Sequence, residues 1–318
     1  MSKILVLGGT GFVGRSLCSR LVDRSGGADG SIVVPSRRPS RARHIQFLPT
    51  VRLAEADVHD EAQLARLVAG CDAVVNLVAI LHGSAADFQR THVDLPAKLA
   101  RVCQAANVKR VVHVSALGVS DRAPSRYLRS KTAGELMLKS AKLDLTVLRP
   151  SVIFGEHDKL LNLFASLQAV FPVVPLGGAA AQFQPVWVED VAAAIVRCLD
   201  EPATIGHTYE CTGPRVYTLK ELVELAGSLS GHPRPVVPLP DGLTRLQAAA
   251  MEWLPGTPLM SRDNVDSMKV PNVATGQWPG LPALGITPAA LDAIAPLYLG
   301  AGQGPARLDP WRAKAGRG

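Results

Sequence analysis

The chain has no Cys-x-x-Cys pair. Its five cysteines, Cys18, Cys71, Cys103, Cys198 and Cys211, are odd in number and widely scattered. That argues against a disulfide framework or a structural zinc site and fits a reducing compartment. No apolar run approaches the ~18 residues of a membrane span. The opening Met1-Ser2-Lys3-Ile4-Leu5-Val6-Leu7 has too few apolar residues before its glycines for a signal peptide, which points to the cytoplasm. Aromatic residues are only 5% and charged residues 19%, against 47% hydrophobic. Bulk disorder is excluded, because there is apolar material for a full core. No aromatics interleave with the basic run Arg37–Arg43, so nucleic acid is not an expected partner. His82, His113, His157 and His207 lack ligand spacing, so no metal is expected and they read as surface or core polar residues. A Gly-x-Ser-x-Gly elbow is missing, which leaves a hydrolase without its nucleophile. The net charge of +7 permits an anionic partner, whether phosphate or membrane surface, without choosing one.

Proline is scarce in the first half: 6 of the 24 lie in residues 1–150. There, short Val/Ile/Leu runs (Lys3–Leu7, Ser31–Val34, Ala73–Val78, Arg110–Ser115, Leu145–Arg149) alternate with helical stretches (Gly11–Asp23, Asp60–Ala69, Ala86–Ala106, Ser125–Ala141). Strands apolar on both faces suit a parallel sheet between helix layers. The expected fold is α/β: a Rossmann-type doubly wound parallel sheet with a smaller C-terminal α+β cap. Residues 1–150 would form the dinucleotide domain, with returning segments from about 183–211. Residues 151–306 would form the cap and substrate region, and 307–318 a basic tail. Pro185–Val188 and Thr208–Cys211 read as strands and Glu189–Asp200 as a helix. Thr218–Ser230 reads as a helix whose Thr218 and Glu221 form a capping box. The stripe Leu243, Leu246, Ala250, Met251, Trp253, Leu254 reads first as cap core, with a membrane- or partner-facing surface as the alternative.

Leu7-Gly8-Gly9-Thr10-Gly11-Phe12-Val13-Gly14 follows the first strand and opens the first helix. Glycines at this spacing make the turn, let backbone approach a pyrophosphate, and pack helix on sheet. The helix N-terminus then offers N–H groups and positive dipole to phosphates. Gly8, Thr10, Gly11, Phe12, Val13 and Gly14 are therefore candidate cofactor contacts. The second strand ends Val33-Val34-Pro35-Ser36-Arg37-Arg38, with no acid to hold a ribose 2′-hydroxyl. Ser36, Arg37 and Arg38 suit a 2′-phosphate instead, favouring NADP(H) over NAD(H).

Tyr127-Leu128-Arg129-Ser130-Lys131 sets Tyr127 and Lys131 on one helical face, and Ser115 ends the preceding strand. The lysine is expected to lower the tyrosine pKa and to hold a ribose hydroxyl. Tyr127 would exchange a proton while hydride moves, and Ser115 would orient the substrate oxygen.

With the glycine turn, this pattern resembles the short-chain dehydrogenase/reductase superfamily, in its extended or atypical branch. Asp57-Val58 is similar to the adenine-contacting turn, and Asn76-Leu77-Val78-Ala79 to the segment after the fourth strand. Arg149-Pro150-Ser151-Val152-Ile153-Phe154-Gly155 is similar to the segment beside the nicotinamide, and Val188-Glu189-Asp190-Val191 to a Val-x-Asp-Val signature. The resemblance thus implies Asp57, Val58, Val78, Ala79, Pro150 and Val152 as further cofactor contacts. Within the superfamily, the Tyr127–Lys131 and Arg149–Gly155 stretches resemble the NAD(P)H-binding accessory subunits of respiratory complex I and their bacterial relatives. So do Phe183–Val191, Pro258-Leu259 and Arg262-Asp263-Asn264-Val265. Two readings follow. One is an NADP(H)-dependent oxidoreductase or epimerase-like enzyme with a small-molecule substrate. The other is a non-catalytic nucleotide-binding accessory or assembly protein of complex I, peripheral on the inner face of the membrane. The family often carries Asn where this chain has His92, in Thr91-His92-Val93-Asp94. His92 is read as a buttressing hydrogen-bond group rather than a base.

Overall fold

β1 (Lys3–Leu7), β2 (Ser31–Ser36), β3 (Val51–Glu55), β4 (Ala73–Asn76), β5 (Arg110–Val114), β6 (Asp144–Pro150) and β7 (Thr208–Cys211) form one sheet. Their order is β3-β2-β1-β4-β5-β6-β7, and every pairing is parallel. The computed structural model describes residues 2–27, 30–253 and 258–300. The chain falls into two units. Of the described residues, the first holds those up to 150 with 188–211 and 274–287, and the second holds 151–187, 212–253, 258–273 and 288–300.

The first unit contains the whole sheet and the helices α1 (Phe12–Arg24), α2 (Glu61–Val68), α3 (Leu95–Ala105), α4 (Arg126–Lys139) and α5 (Val188–Asp200). Strand residues such as Leu5, Leu7, Val74, Val111 and Val147 bury against Leu95, Leu99 and Leu138 from the helices. Each such side chain contributes about 1.5–3 kcal/mol by leaving water. α1 and α5 are tied by Arg20–Glu189 at 2.8 Å and Arg24–Asp200 at 3.1 Å. The strand order reverses between β1 and β4, and open α/β sheets bind ligands beyond the strand ends at such a point. The expected runs are all strands here. β3 was not anticipated: it is an edge strand, half-exposed, with Arg52 and Glu55 facing outward, so it lacks the two-sided apolar run.

In the second unit, the helices Leu161–Val170 and Leu219–Leu229 pack around Phe154, Leu222, Ala226 and Tyr298. Thr218 and Glu221 form the expected capping box. Asp158 accepts from the Leu161 N–H at 2.7 Å and from the Tyr298 hydroxyl at 2.9 Å. Val174–Gly177 and Val236–Leu239 pair in parallel. The reading of the 243–254 stripe as core is overturned. In the helix Asp241–Glu252 the buried residues are Thr244 and Ala248. Leu243, Leu246 and Trp253 are 52%, 66% and 90% exposed. Gly177 packs directly onto Thr244, and a Cβ on residue 177 would clash with it. Leu254 and the tail 307–318 lie outside the described residues.

Candidate active site

The turn after β1 needs its glycines for separate reasons. Gly8 has φ +80°, and a Cβ there would stand 3.1 Å from the Leu77 carbonyl carbon, where β1 and β4 end side by side. A Cβ on Gly14 would fall 2.5 Å from the Gly9 backbone, so glycine lets α1 rise directly off the turn. No side chain caps α1: Gly11 is its N-cap, and no acid sits in its first turn. Thr10, Phe12 and Val13 are half-buried around this helix end. Such an uncapped N-terminus presents donors and positive potential to an anion.

The Val78 N–H donates to Asn76 Oδ1 at 3.2 Å, and Ala79 is exposed. Ser36 ends β2; Arg37 and Arg38 beyond it are exposed, and the Arg38 N–H donates to Ser36 Oγ at 3.2 Å. Asp57 accepts from the His59 N–H at 3.0 Å and lies 3.5 Å from the Arg90 guanidinium, while Val58 packs against the core. Pro150 ends β6 and accepts from the Leu117 N–H at 3.0 Å. Val152 belongs to the second unit, where its N–H donates to Asn272 Oδ1 at 2.9 Å.

α4 begins at a serine cap: Ser125 Oγ accepts from the Leu128 N–H at 3.2 Å. That places Tyr127 in the first turn and Lys131 one turn later on the same face. Lys131 is 2% exposed, and its ammonium donates to the Val114 carbonyl at 2.8 Å, beside Ser115. Burial lowers Lys131 to about 8, with the Glu135 charge resisting. Ser115 is buried, and its hydroxyl makes no well-formed hydrogen bond among the described residues, though it stands near enough to Glu135 to help keep that carboxyl ionised. The expected lowering of the Tyr127 pKa does not occur in this chain. Burial pushes the phenol up to about 12, and the Lys131 charge goes to the Val114 carbonyl instead. Tyr127 therefore carries its proton throughout the neutral range.

Two features of the site were not singled out in the sequence. Glu135 is buried, and Arg149 grips it with two bonds of 2.9 and 2.7 Å, while Lys139 adds a third at 3.1 Å. Burial alone would raise this carboxyl; the cations outweigh it and hold it down at about 2. Trp278 lies against both cations, its ring centre 5.6 Å from the Arg149 guanidinium. The signal was present: Glu135 follows Lys131 by four residues, and Arg149 heads the segment already recognised. The second feature is a π-helical turn, Gln89–Asp94, between Ala85–Phe88 and α3. π-Turns cluster at functional sites because the wider helix re-aims side chains and carbonyls. It carries His92, which is 2% exposed. Its Nε2 accepts from the Ile80 N–H at 3.1 Å and its Nδ1 lies 2.8 Å from Ser130 Oγ. Its ring meets the Tyr127 ring edge-on, with centres 5.5 Å apart. His113 is buried beside Asn76 at 3.2 Å, and no metal-binding cluster occurs among the described residues.

The chain belongs to the NAD dependent epimerase/dehydratase family, whose pattern matches residues 4–212. It is 30% identical to NADH dehydrogenase (ubiquinone) 1 alpha subcomplex subunit 9, mitochondrial, of Mus musculus, over 90% of this chain and 77% of that protein. It is 27% identical to Ceramide reductase of Caulobacter vibrioides, over 79% of this chain and 78% of that protein. In fold it is similar to DesIV, a dTDP-glucose 4,6-dehydratase of Streptomyces venezuelae solved with NAD and TYD. The TM-score is 0.71 at 21% identity, over 98% of this chain and 97% of that one.

Proposed function

We propose that the first unit binds a nicotinamide dinucleotide, NADP(H) in preference to NAD(H), and reduces or oxidises a small-molecule carbonyl. The uncapped helix behind the Gly8–Gly14 turn carries this reading, since a helix N-terminus with no side-chain cap and no acid in its first turn suits a pyrophosphate. Gly8, Thr10, Gly11, Phe12, Val13 and Gly14 would hold the phosphates; Asp57, Val58, Val78, Ala79 and Pro150 would line the rest of the cofactor. Ser36, Arg37 and Arg38 would meet a 2′-phosphate. The cofactor would supply or accept the hydride. Lys131 would bind the nicotinamide ribose, Ser115 would orient the substrate oxygen, and Tyr127, protonated at neutral pH, would donate to that oxygen during reduction. The similarity to a reductase supports turnover.

The test is NADPH oxidation in the presence of ketones, quinones and sugar nucleotides, with the wild type and Tyr127→Phe side by side. General acid catalysis typically contributes ~10²–10⁴-fold, so Tyr127→Phe loses that much kcat while NADPH affinity stays within a few-fold. Turnover that survives Tyr127→Phe unchanged removes Tyr127 from the chemistry.

The second reading is an accessory subunit of respiratory complex I, peripheral to the membrane, with the nucleotide as a structural ligand. It is favoured by the relative from Mus musculus and by the exposed Leu243, Leu246 and Trp253. No helix among the described residues is long and apolar enough to cross a membrane, so attachment would be peripheral. A pool that co-purifies with complex I and has no turnover with any carbonyl supports it; a protein absent from that complex does not.

A further inference from the structure

We infer that His92 is a positioning residue that couples the dinucleotide-facing segment after β4 to the helix carrying Tyr127. The inference rests on the dinucleotide reading above. The imidazole sits between two parts of the first unit. On one side Nε2 accepts the Ile80 N–H, directly after Val78 and Ala79. On the other side Nδ1 meets Ser130 Oγ, and Ser130 donates its hydroxyl proton to the Tyr127 carbonyl at 2.8 Å.

Proton bookkeeping fixes the tautomer. A serine hydroxyl has one proton, and that proton is committed to the Tyr127 carbonyl. The hydrogen between His92 and Ser130 must therefore come from Nδ1. Nε2 faces an N–H donor, so it must carry the lone pair. Only the neutral Nδ1–H form satisfies both ends; an imidazolium would set its Nε2–H against the Ile80 N–H. The surroundings agree: burial, then the positive Lys131 and the neighbouring His113, hold His92 down at about 3. Tyr127 stays protonated and adds no charge. His92 is thus neither an acid nor a base here. It transmits position: a shift of the Val78–Ile80 backbone pulls the ring, and the ring pulls the first turn of α4 and the Tyr127 ring packed against it.

Glycine 134 completes the arrangement. A Cβ there would fall inside the van der Waals shell of the His92 carbonyl oxygen, so α4 comes close to the π-turn only because residue 134 has no side chain.

The test uses the full chain and NADPH. His92→Phe keeps the ring contacts with Tyr127 and Phe88 but removes both hydrogen bonds. NADPH binding should weaken about tenfold, the order of one lost hydrogen bond to the part-buried Ile80 N–H. His92→Gln, whose amide oxygen can reach the Ile80 N–H, should bind within about threefold of wild type by regaining that bond. His92→Asn, too short to reach, should behave like Phe, and this pair gives the same contrast if His92→Phe does not fold. Ring ¹⁵N NMR of the wild type should show His92 as the Nδ1–H tautomer, without titration from about pH 5 to about pH 8, where exposed histidines change charge. Wild-type affinity in folded His92→Phe, even with a lowered thermal midpoint, overturns the proposal and leaves a merely structural histidine; so does an Nε2–H tautomer. Failure of the wild type to bind NADPH at all is a separate result, and it overturns the dinucleotide reading itself.

Discussion

Lys131 spends its ammonium on the carbonyl oxygen of Val114, 2.8 Å away, at the last residue of β5 before Ser115. A fully buried ammonium with one backbone acceptor is held at a cost. Its pKa of about 8 lies below the ordinary 10.5. Between those values the unfolded chain holds the proton more tightly than the folded one, so stability rises with pH across that window. Below about 8 the penalty is fully present. Lys131→Met should therefore raise the thermal midpoint at pH 7, by up to about 3 kcal/mol of stability, while weakening NADPH binding. The gain should shrink as pH rises from about 8 toward 10.5. Thermal melts at pH 7 and pH 9.5 check this, and a less stable Lys131→Met at pH 7 refutes it.

Glu135 has the opposite sign. Its carboxyl titrates at about 2 in the folded chain, below its ordinary 4.5. The stability it contributes is present above about 4.5 and is lost as pH falls toward about 2. Glu135→Gln leaves Arg149 and Lys139 facing a neutral amide. Breaking a buried pair from one side costs about 3–5 kcal/mol. Denaturant melts at pH 7 should show that loss, and the gap between variant and wild type should narrow in acid. An unchanged midpoint at pH 7 would mean the ion pair is not formed in solution.

Gly134→Ala inserts one methyl group between α4 and the π-turn. Overpacking of this kind typically costs about 1–3 kcal/mol, outweighing the ~1 kcal/mol that alanine usually gains over glycine in a helix. Chemical denaturation of the purified variant reads the sign directly; stabilisation would contradict the close approach of α4 to the His92 carbonyl.

The sheet was legible because its central strands are buried on both faces and announce themselves as Val/Ile/Leu runs. β3 was not, because an edge strand with Arg52 and Glu55 facing water has no such run. The return of 274–287 to the first unit had no local sign either: it is held by the Glu210 carboxylate, which accepts from the Thr275 N–H and hydroxyl at 2.8 and 2.7 Å. At the site, spacing placed Tyr127 and Lys131 on one face and Ser115 at a strand end. It could not show where the lysine charge goes, and so the expected fall in the Tyr127 pKa became a rise. His92 stood out only as a departure from a pattern. Its partners Ile80 and Ser130 are 12 and 38 residues away, and only the fold brings them together.

On the proposed reading, the Gly8–Gly14 turn, the uncapped α1 and the basic end of β2 form a nicotinamide dinucleotide site. Calorimetric titration of the purified chain with NADPH and with NADH measures this binding. One equivalent of NADPH should bind, tighter than NADH by roughly 10- to 150-fold, the worth of a charged hydrogen bond. Arg37→Ala with Arg38→Ala should erase that difference and leave NADH binding unchanged. A folded wild-type protein that shows no saturable binding of either nucleotide would rule out a dinucleotide site here.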